Sequence, residues 1–169
     1  VVIFSRARKT RPILPSSKEN FRVSDLYFSD KRRVRAILLT DQHTLILLKR
    51  LPQGPRQTPM WIAPGDAIVP HGADDKIILR EALITELGVE VAIMDLALQL
   101  FMTRWNFYLC KVVSVNPNRR SPQAIAEHKK GVYKVDELPL DESVIKQKTI
   151  QPRALRDYLM ANMPLLRVI

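Results

Sequence analysis

Residues 61–89 constrain the fold more than any other stretch of the chain. Trp61-Ile62-Ala63 continues from Met60 as a short strand, and Pro64-Gly65-Asp66 ends it. A polar link runs through Gly72 to Asp74-Asp75-Lys76-Ile77-Ile78-Leu79-Arg80-Glu81-Ala82-Leu83-Ile84-Thr85-Glu86-Leu87, followed by Gly88 and Val89. Asp74 and Asp75 suit a helix start, because their carboxylates accept hydrogen bonds from the unpaired first amides and complement the macrodipole. Gly88 stands where a helix closes on a left-handed residue. Ile78, Leu79, Ala82, Leu83 and Leu87 recur at spacings of three and four, which predicts a helix from Asp74 or Asp75 to Leu87 with one buried stripe.

The flanking segments supply strands. Ala36-Ile37-Leu38-Leu39 and Leu45-Ile46-Leu47-Leu48 are apolar runs separated by a few polar residues, which predicts a β-hairpin with His43 at its tip. Residues 51–59 hold three prolines and a glycine and read as a loop. Residues 89–101 and 105–115 predict two long strands. Residues 116–122 read as a basic loop, and Gly131 to Val135 as a short strand. Residues 152–160 predict a helix whose inner face carries Leu155 and Leu159, with Pro152 near its start. The apolar runs fall far short of the ~20 residues that span a bilayer, so no membrane insertion is expected. Val1 is not an initiator Met, and the absence of a targeting segment carries no inference.

The net charge of +10 is unevenly spread. Residues 1–36 carry ten Lys or Arg against three Asp or Glu, and residues 101–135 carry seven against one. Residues 37–100, which include the central helix, are net acidic with five against eight. The helix and its loops are therefore no cationic cradle for phosphate, and the basic flanks point to a polyanion, most simply nucleic acid. Residues 1–32 read as a basic, Pro-punctuated extended arm that orders on a partner, and residues 33–169 as one domain. Cys110, the single cysteine, lies in an apolar run, which predicts a buried inert thiol, excludes an internal disulfide and fits a reducing or organellar interior.

The order of hairpin, loop, strand, Pro-Gly turn, helix, glycine, two long strands, loop, strand and helix resembles the Nudix fold. Three local matches carry the resemblance. Trp61-Ile62-Ala63-Pro64-Gly65 is similar to the approach to a Nudix box. Gly72 and Gly88 stand sixteen residues apart, as do the box's bounding glycines. Glu127-His128-Lys129-Lys130, then Val132 to Val135 and Asp136-Glu137-Leu138, are similar to the late glutamate, strand and Asp-Glu-Leu of many Nudix domains. The resemblance covers about residues 33–160 and implies an α+β fold: a Nudix-like α/β/α sandwich with a mixed sheet, preceded by the basic N-terminal extension.

Nudix enzymes cleave diphosphate linkages with divalent cations, which the box holds on glutamates sharing one helical face. Aligned on Gly88, the three glutamate positions hold Ala82, Thr85 and Glu86. Moving the register to make Arg80-Glu81 the Arg-Glu pair puts Ile84 and Thr85 at the other two and misplaces the closing glycine. Asp66 replaces the second glycine of the approach, and Ala73 follows Gly72 in place of a glutamate. Glu81 and Glu86 point roughly 140° apart, and Asp75 and Glu86 lie roughly 16 Å apart along the axis. Gly65, Gly72, Ala82, Thr85, Glu86 and Gly88 thus read as a vestigial box, with Glu127 a remnant beside Glu86. No metal, cofactor or small-molecule substrate is expected.

The lost box, basic arm and basic loops together resemble the Nudix-fold protein of the large subunit of the mitochondrial ribosome. That resemblance implies a non-catalytic structural protein of a ribonucleoprotein in the mitochondrial matrix, with rRNA and neighbouring ribosomal proteins as partners. The residues expected on rRNA are Arg6, Arg8, Lys9, Arg11, Lys31, Arg32, Arg33, Arg35, Arg119 and Arg120. No aromatic residues interleave with them in the sequence, so contacts to backbone phosphates are expected in place of base readout. The rival readings are a Mg²⁺-dependent hydrolase of nucleoside diphosphate derivatives or RNA 5′ ends working through Glu86 and Glu127, and a module that holds a nucleotide or RNA end without cleaving it.

Overall fold

A splayed hairpin sets the architecture. The structure is a computed structural model that describes residues 31–169 apart from Gln53 and Arg56, so Arg6, Arg8, Lys9 and Arg11 lie outside the described residues. Strands β1 (Arg33–Leu39) and β2 (Thr44–Arg50) meet at a tip where His43 has a positive φ of 55°. They pair only at Leu38 with Ile46 and Leu39 with Leu45, then diverge. The chain from 60 to 68 fills the gap: β3 (Met60–Ile62) adds to β2, and β4 (Ala67–Ile68) adds to the far end of β1. Between them the Ala36 amide donates to Pro64 O at 2.9 Å, so the crossing leaves that backbone group paired.

The outer edges of the hairpin carry the rest of a mixed sheet. β5 (Val89–Leu100) and β6 (Trp105–Val115) form a long antiparallel ribbon, and β6 runs parallel to β1 along its whole length. β7 (Tyr133–Pro139) pairs antiparallel with all of β2, and β8 (Ile150–Gln151) pairs parallel with β3. Residues 133–139 thus form one strand that continues through Asp136-Glu137-Leu138, longer than the segment expected to end at Val135.

Alternation along β1 and β2 sends apolar side chains to both faces, which is why their sequences read as continuous apolar runs. Val34, Ala36, Leu38, Ile46 and Leu48 pack with Leu79, Leu83 and Leu87 of helix α1 (Asp75–Leu87). Ile37, Leu39, Leu45 and Leu47 pack with residues of α3 (Glu142–Gln147), α4 (Arg153–Ala161) and α5 (Met163–Leu166), including Ile145, Leu155, Leu159 and Leu166. The result is the expected α/β/α sandwich. Leu79, Leu83, Leu155 and Leu159 are all 1 % exposed or less, and each fully buried leucine contributes about 1.5–3 kcal/mol.

Helix α1 is bounded as its sequence dictates. Asp74 accepts from the amides of Lys76 and Ile77, and Gly88 closes the helix at φ 70°. The basic segment that follows β6 holds a short helical turn at Pro117–Arg119 and then α2 (Pro122–Lys129), capped by Ser121. This helix, together with α3 and α5, is absent from the sequence expectation, since each is too short for a clear apolar period. Among the described residues no helix is long and apolar enough to cross a membrane.

Candidate functional site

The helix that corresponds to the Nudix box faces a cleft of about 430 Å³ lined by Asp66, Ala82, Thr85, Glu86, Glu127 and Tyr133, among others. A second recess of about 320 Å³ shares Asp66, Glu86, Glu127 and Tyr133 and adds Arg50, Ile62 and Ala63. Glu86 and Glu127, far apart in sequence, thus line the same space, Glu86 from α1 and Glu127 from α2. Ala82 and Thr85 line it too, as does Glu81 of the alternative register.

Most polar side chains of the cleft have a partner inside the protein. The Gly65 amide donates to Glu86 Oε2 at 2.6 Å. Gly65 adopts φ 83°, which favours glycine, and a Cβ there would press on Leu79 Cδ1 at 2.7 Å. Burial raises the pKa of Glu86; the Gly65 hydrogen bond and Arg35 oppose that shift, and Asp66 and Glu127 add to it. Thr85 Oγ1 turns back to donate to Glu81 O or Ala82 O, at 2.8 and 3.0 Å. Glu127 accepts from the Gln123 side chain at 3.0 Å.

Asp66 is the second carboxylate of the loop, and two arginines of β1 hold it. Arg33 Nη1 reaches Asp66 Oδ1 at 2.8 Å and Arg35 Nη2 reaches Asp66 Oδ2 at 2.8 Å. Arg35 also donates to Ala63 O at 3.0 Å and stacks over Trp105 with its guanidinium 4.7 Å from the ring centroid. Arg35 is only 6 % exposed. Burial draws its pKa down, and Asp66 and then Glu86 hold it up. Arg33 and Arg35 alternate on one strand and so share a face, a pattern that could have signalled a common carboxylate partner.

These donors do not fit the three-glutamate metal site that the resemblance implies. Ala82 offers no ligand, Thr85 points its hydroxyl at the helix backbone, and Asp66 is engaged by two guanidiniums. Among the described residues no three of His, Cys, Asp and Glu come together in a way that could hold a metal ion.

The basic residues expected on RNA are distributed unequally. Arg35 corrects that expectation most clearly: it is an internal cation of the Asp66 cluster, out of reach of a phosphate backbone. Arg33 is half-buried against Asp66. Arg120 serves the C-terminus of α1, where its Nε donates to Glu86 O at 3.0 Å, and its neighbour Ser121 donates its amide to Thr85 O at 2.8 Å. A cation there also complements the helix dipole. Arg119 is paired with Glu90 and keeps a side-chain exposure of 44 %. Lys31 and Arg32 are exposed at the mouth of a separate cavity. Cys110 is fully buried, and burial pushes its thiol up to about 12, in keeping with an inert sulfur.

Two of the resemblance motifs join directly. Trp61 Nε1 of the box approach donates to Asp136 Oδ2 of the Asp-Glu-Leu strand at 2.6 Å. No protein-family model and no curated protein matches the sequence. Solved structures do match. A Nudix hydrolase from Nitrosomonas europaea shares 15% identity over 78% of this chain and 86% of its own, with a TM-score of 0.54. A MutT from work on Aliivibrio salmonicida and Vibrio cholerae shares 15% over 78% and 98%, also at 0.54. The MutT protein of Methanosarcina mazei shares 16% over 81% and 96%, at 0.50. At such identities the likeness is one of backbone architecture, and it establishes that the chain has a Nudix-like fold.

Proposed function

We propose that this protein is a non-catalytic Nudix-fold component of a ribonucleoprotein, in which it contacts rRNA and neighbouring proteins. The large subunit of the mitochondrial ribosome is the particle that the sequence resemblance implies. The observation that carries the reading is the state of the box cleft. Of the three positions that hold metal-binding glutamates in Nudix enzymes, one keeps a carboxylate, and that carboxylate is held by the Gly65 amide beside an Asp66 neutralised by Arg33 and Arg35. The net charge of +10 supports a polyanionic partner. Among the described residues, Lys31, Arg32 and Arg119 keep the exposure that a phosphate contact needs.

Two experiments test the proposal. Purified protein is incubated with Mg²⁺ or Mn²⁺ and capped RNA, triphosphorylated RNA and nucleotide sugars. No turnover is expected; turnover abolished by Glu86→Gln would overturn the non-catalytic reading. Sedimentation of native extracts in graded salt is the complement. The protein should travel with large-subunit particles at low salt and leave them as salt rises, and free protein at low salt would refute the ribosomal assignment.

A further inference from the structure

A cavity lies away from the box, at the end of the sheet where β1 begins and the β5–β6 ribbon turns. Its volume is about 750 Å³, within the roughly 300–1,000 Å³ typical of small-ligand sites. Lys31, Arg32, His71, Gln99, Phe101 and Arg104 line it, with Asn106 at its floor. Two basic regions of the sequence converge here. The parallel pairing of β1 with β6 sets Arg33 beside Trp105, and the Arg33 amide donates to Arg104 O at 2.9 Å. That register carries Lys31 and Arg32, at the end of the first basic segment, to the same rim as Arg104, at the start of the second.

The ribbon turn adds what the sequence withheld. Phe101 is 80 % exposed beside these cations, and Met102 next to it is also exposed. The floor is polar and hydrogen-bonded. Asn106, 6 % exposed, donates to Asp75 Oδ2 at 2.8 Å and accepts from Gln99 Nε2 at 3.0 Å. That bond uses one of the two Gln99 N–H groups and fixes its amide at the cavity wall. Arg32 is anchored by an ion pair with Asp75 at 2.7 Å and by a hydrogen bond from its Nη2 to Ala73 O at 3.1 Å, while its side chain stays 43 % exposed. An anchored guanidinium, a lysine, an exposed aromatic ring and an amide together match an unpaired nucleotide: phosphate on the cations, the base stacked on the ring, its edge at the amide.

We propose that this cavity binds an unpaired nucleotide of single-stranded RNA, with its base on Phe101 and its phosphate at Lys31 and Arg32. The inference rests on the RNA-contacting function proposed above and adds a base-stacking site to what the sequence alone marks as backbone contacts. Arg33, Arg35 and Arg120 take no part in it.

The test is fluorescence anisotropy of the full chain with a short labelled single-stranded RNA of mixed sequence, titrated at several salt concentrations. Phe101→Ala is expected to weaken binding about 10-fold with the salt slope unchanged, and Phe101→Trp to restore it. Lys31→Gln is expected to lower the salt slope by about 0.7. Phe101 is exposed, so its loss leaves the fold intact, which thermal melting checks. If the wild type fails to bind RNA, the RNA-contacting function itself falls, and this site with it. If the wild type binds and Phe101→Ala binds equally well, the function stands and the stacking site is refuted. Release of Phe101→Ala from ribosomal particles at undiminished RNA affinity would make the cavity a protein-docking surface and refute the proposal too.

Discussion

Replacing Gly88 by alanine tests how the box helix is joined to the rest of the domain. Gly88 adopts φ 70°, a conformation that costs an L-residue about 1–2 kcal/mol. A Cβ there would also stand 2.2 Å from Asn116 O and 2.8 Å from Asn116 C. An ordinary carbon-to-oxygen contact is about 3.3 Å or more, so backbone, not a pliable side chain, would have to retreat by about 1 Å. The Asn116 amide donates to Gly88 O at 2.7 Å, and that bond, a net contribution of about 1 kcal/mol, would be lost or stretched. The same segment carries the Ser121 and Arg120 donors that cap Thr85 and Glu86. Together these set the expected loss at about 3–5 kcal/mol. Gly72 is the control: its φ is 77°, yet a Cβ would meet nothing within 4 Å, so Gly72→Ala should cost only about 1 kcal/mol. Urea denaturation of both variants measures the difference. At roughly 3 °C per kcal/mol, melting should fall by about 10 °C or more for Gly88→Ala and by about 3 °C for Gly72→Ala. Losses within 1 kcal/mol of each other would refute the steric account of the α1 terminus.

Other expectations address the cleft and the core. The raised pKa of Glu86 means that the folded state holds its proton more tightly than the unfolded chain. Its contribution to stability is complete below the ordinary glutamate range and is lost as pH rises through the raised folded value. Glu86→Gln keeps an acceptor for the Gly65 amide and removes that loss, so its advantage over the wild type should grow from acid to neutral pH in denaturant titrations; parallel profiles would count against the burial of Glu86. Arg35→Lys removes the forked contact to Asp66 and Ala63 O and the stack on Trp105. It should cost about 2 kcal/mol in stability without changing RNA affinity, whereas an RNA-contacting Arg35 would show the reverse. Cys110 should resist a chromogenic disulfide reagent in the native protein and react fully in denaturant, because its thiol is buried and its pKa is pushed up to about 12; fast native labelling would place it at the surface.

The chain's own pattern determined a great deal. Asp74, the 79–83–87 leucines and Gly88 specify α1 almost to the residue, because capping and helical period are local properties. The limits of β6 and the hairpin tip at His43 were legible for the same reason. That Ala82 and Thr85 carry no carboxylate is legible in the sequence alone. What only the tertiary structure decided is where the charges go. Arg33 and Arg35 read as surface cations until the β1–β2 splay brings Asp66 beneath them. Arg120 reads as a loop cation until the segment after β6 returns to cap α1. Phe101 carries no signal in sequence, and it gains one because parallel pairing of β1 and β6 sets it beside Lys31 and Arg32. A charge's partner is fixed by contacts between residues distant in the chain, and those follow from strand pairing, which local pattern does not encode.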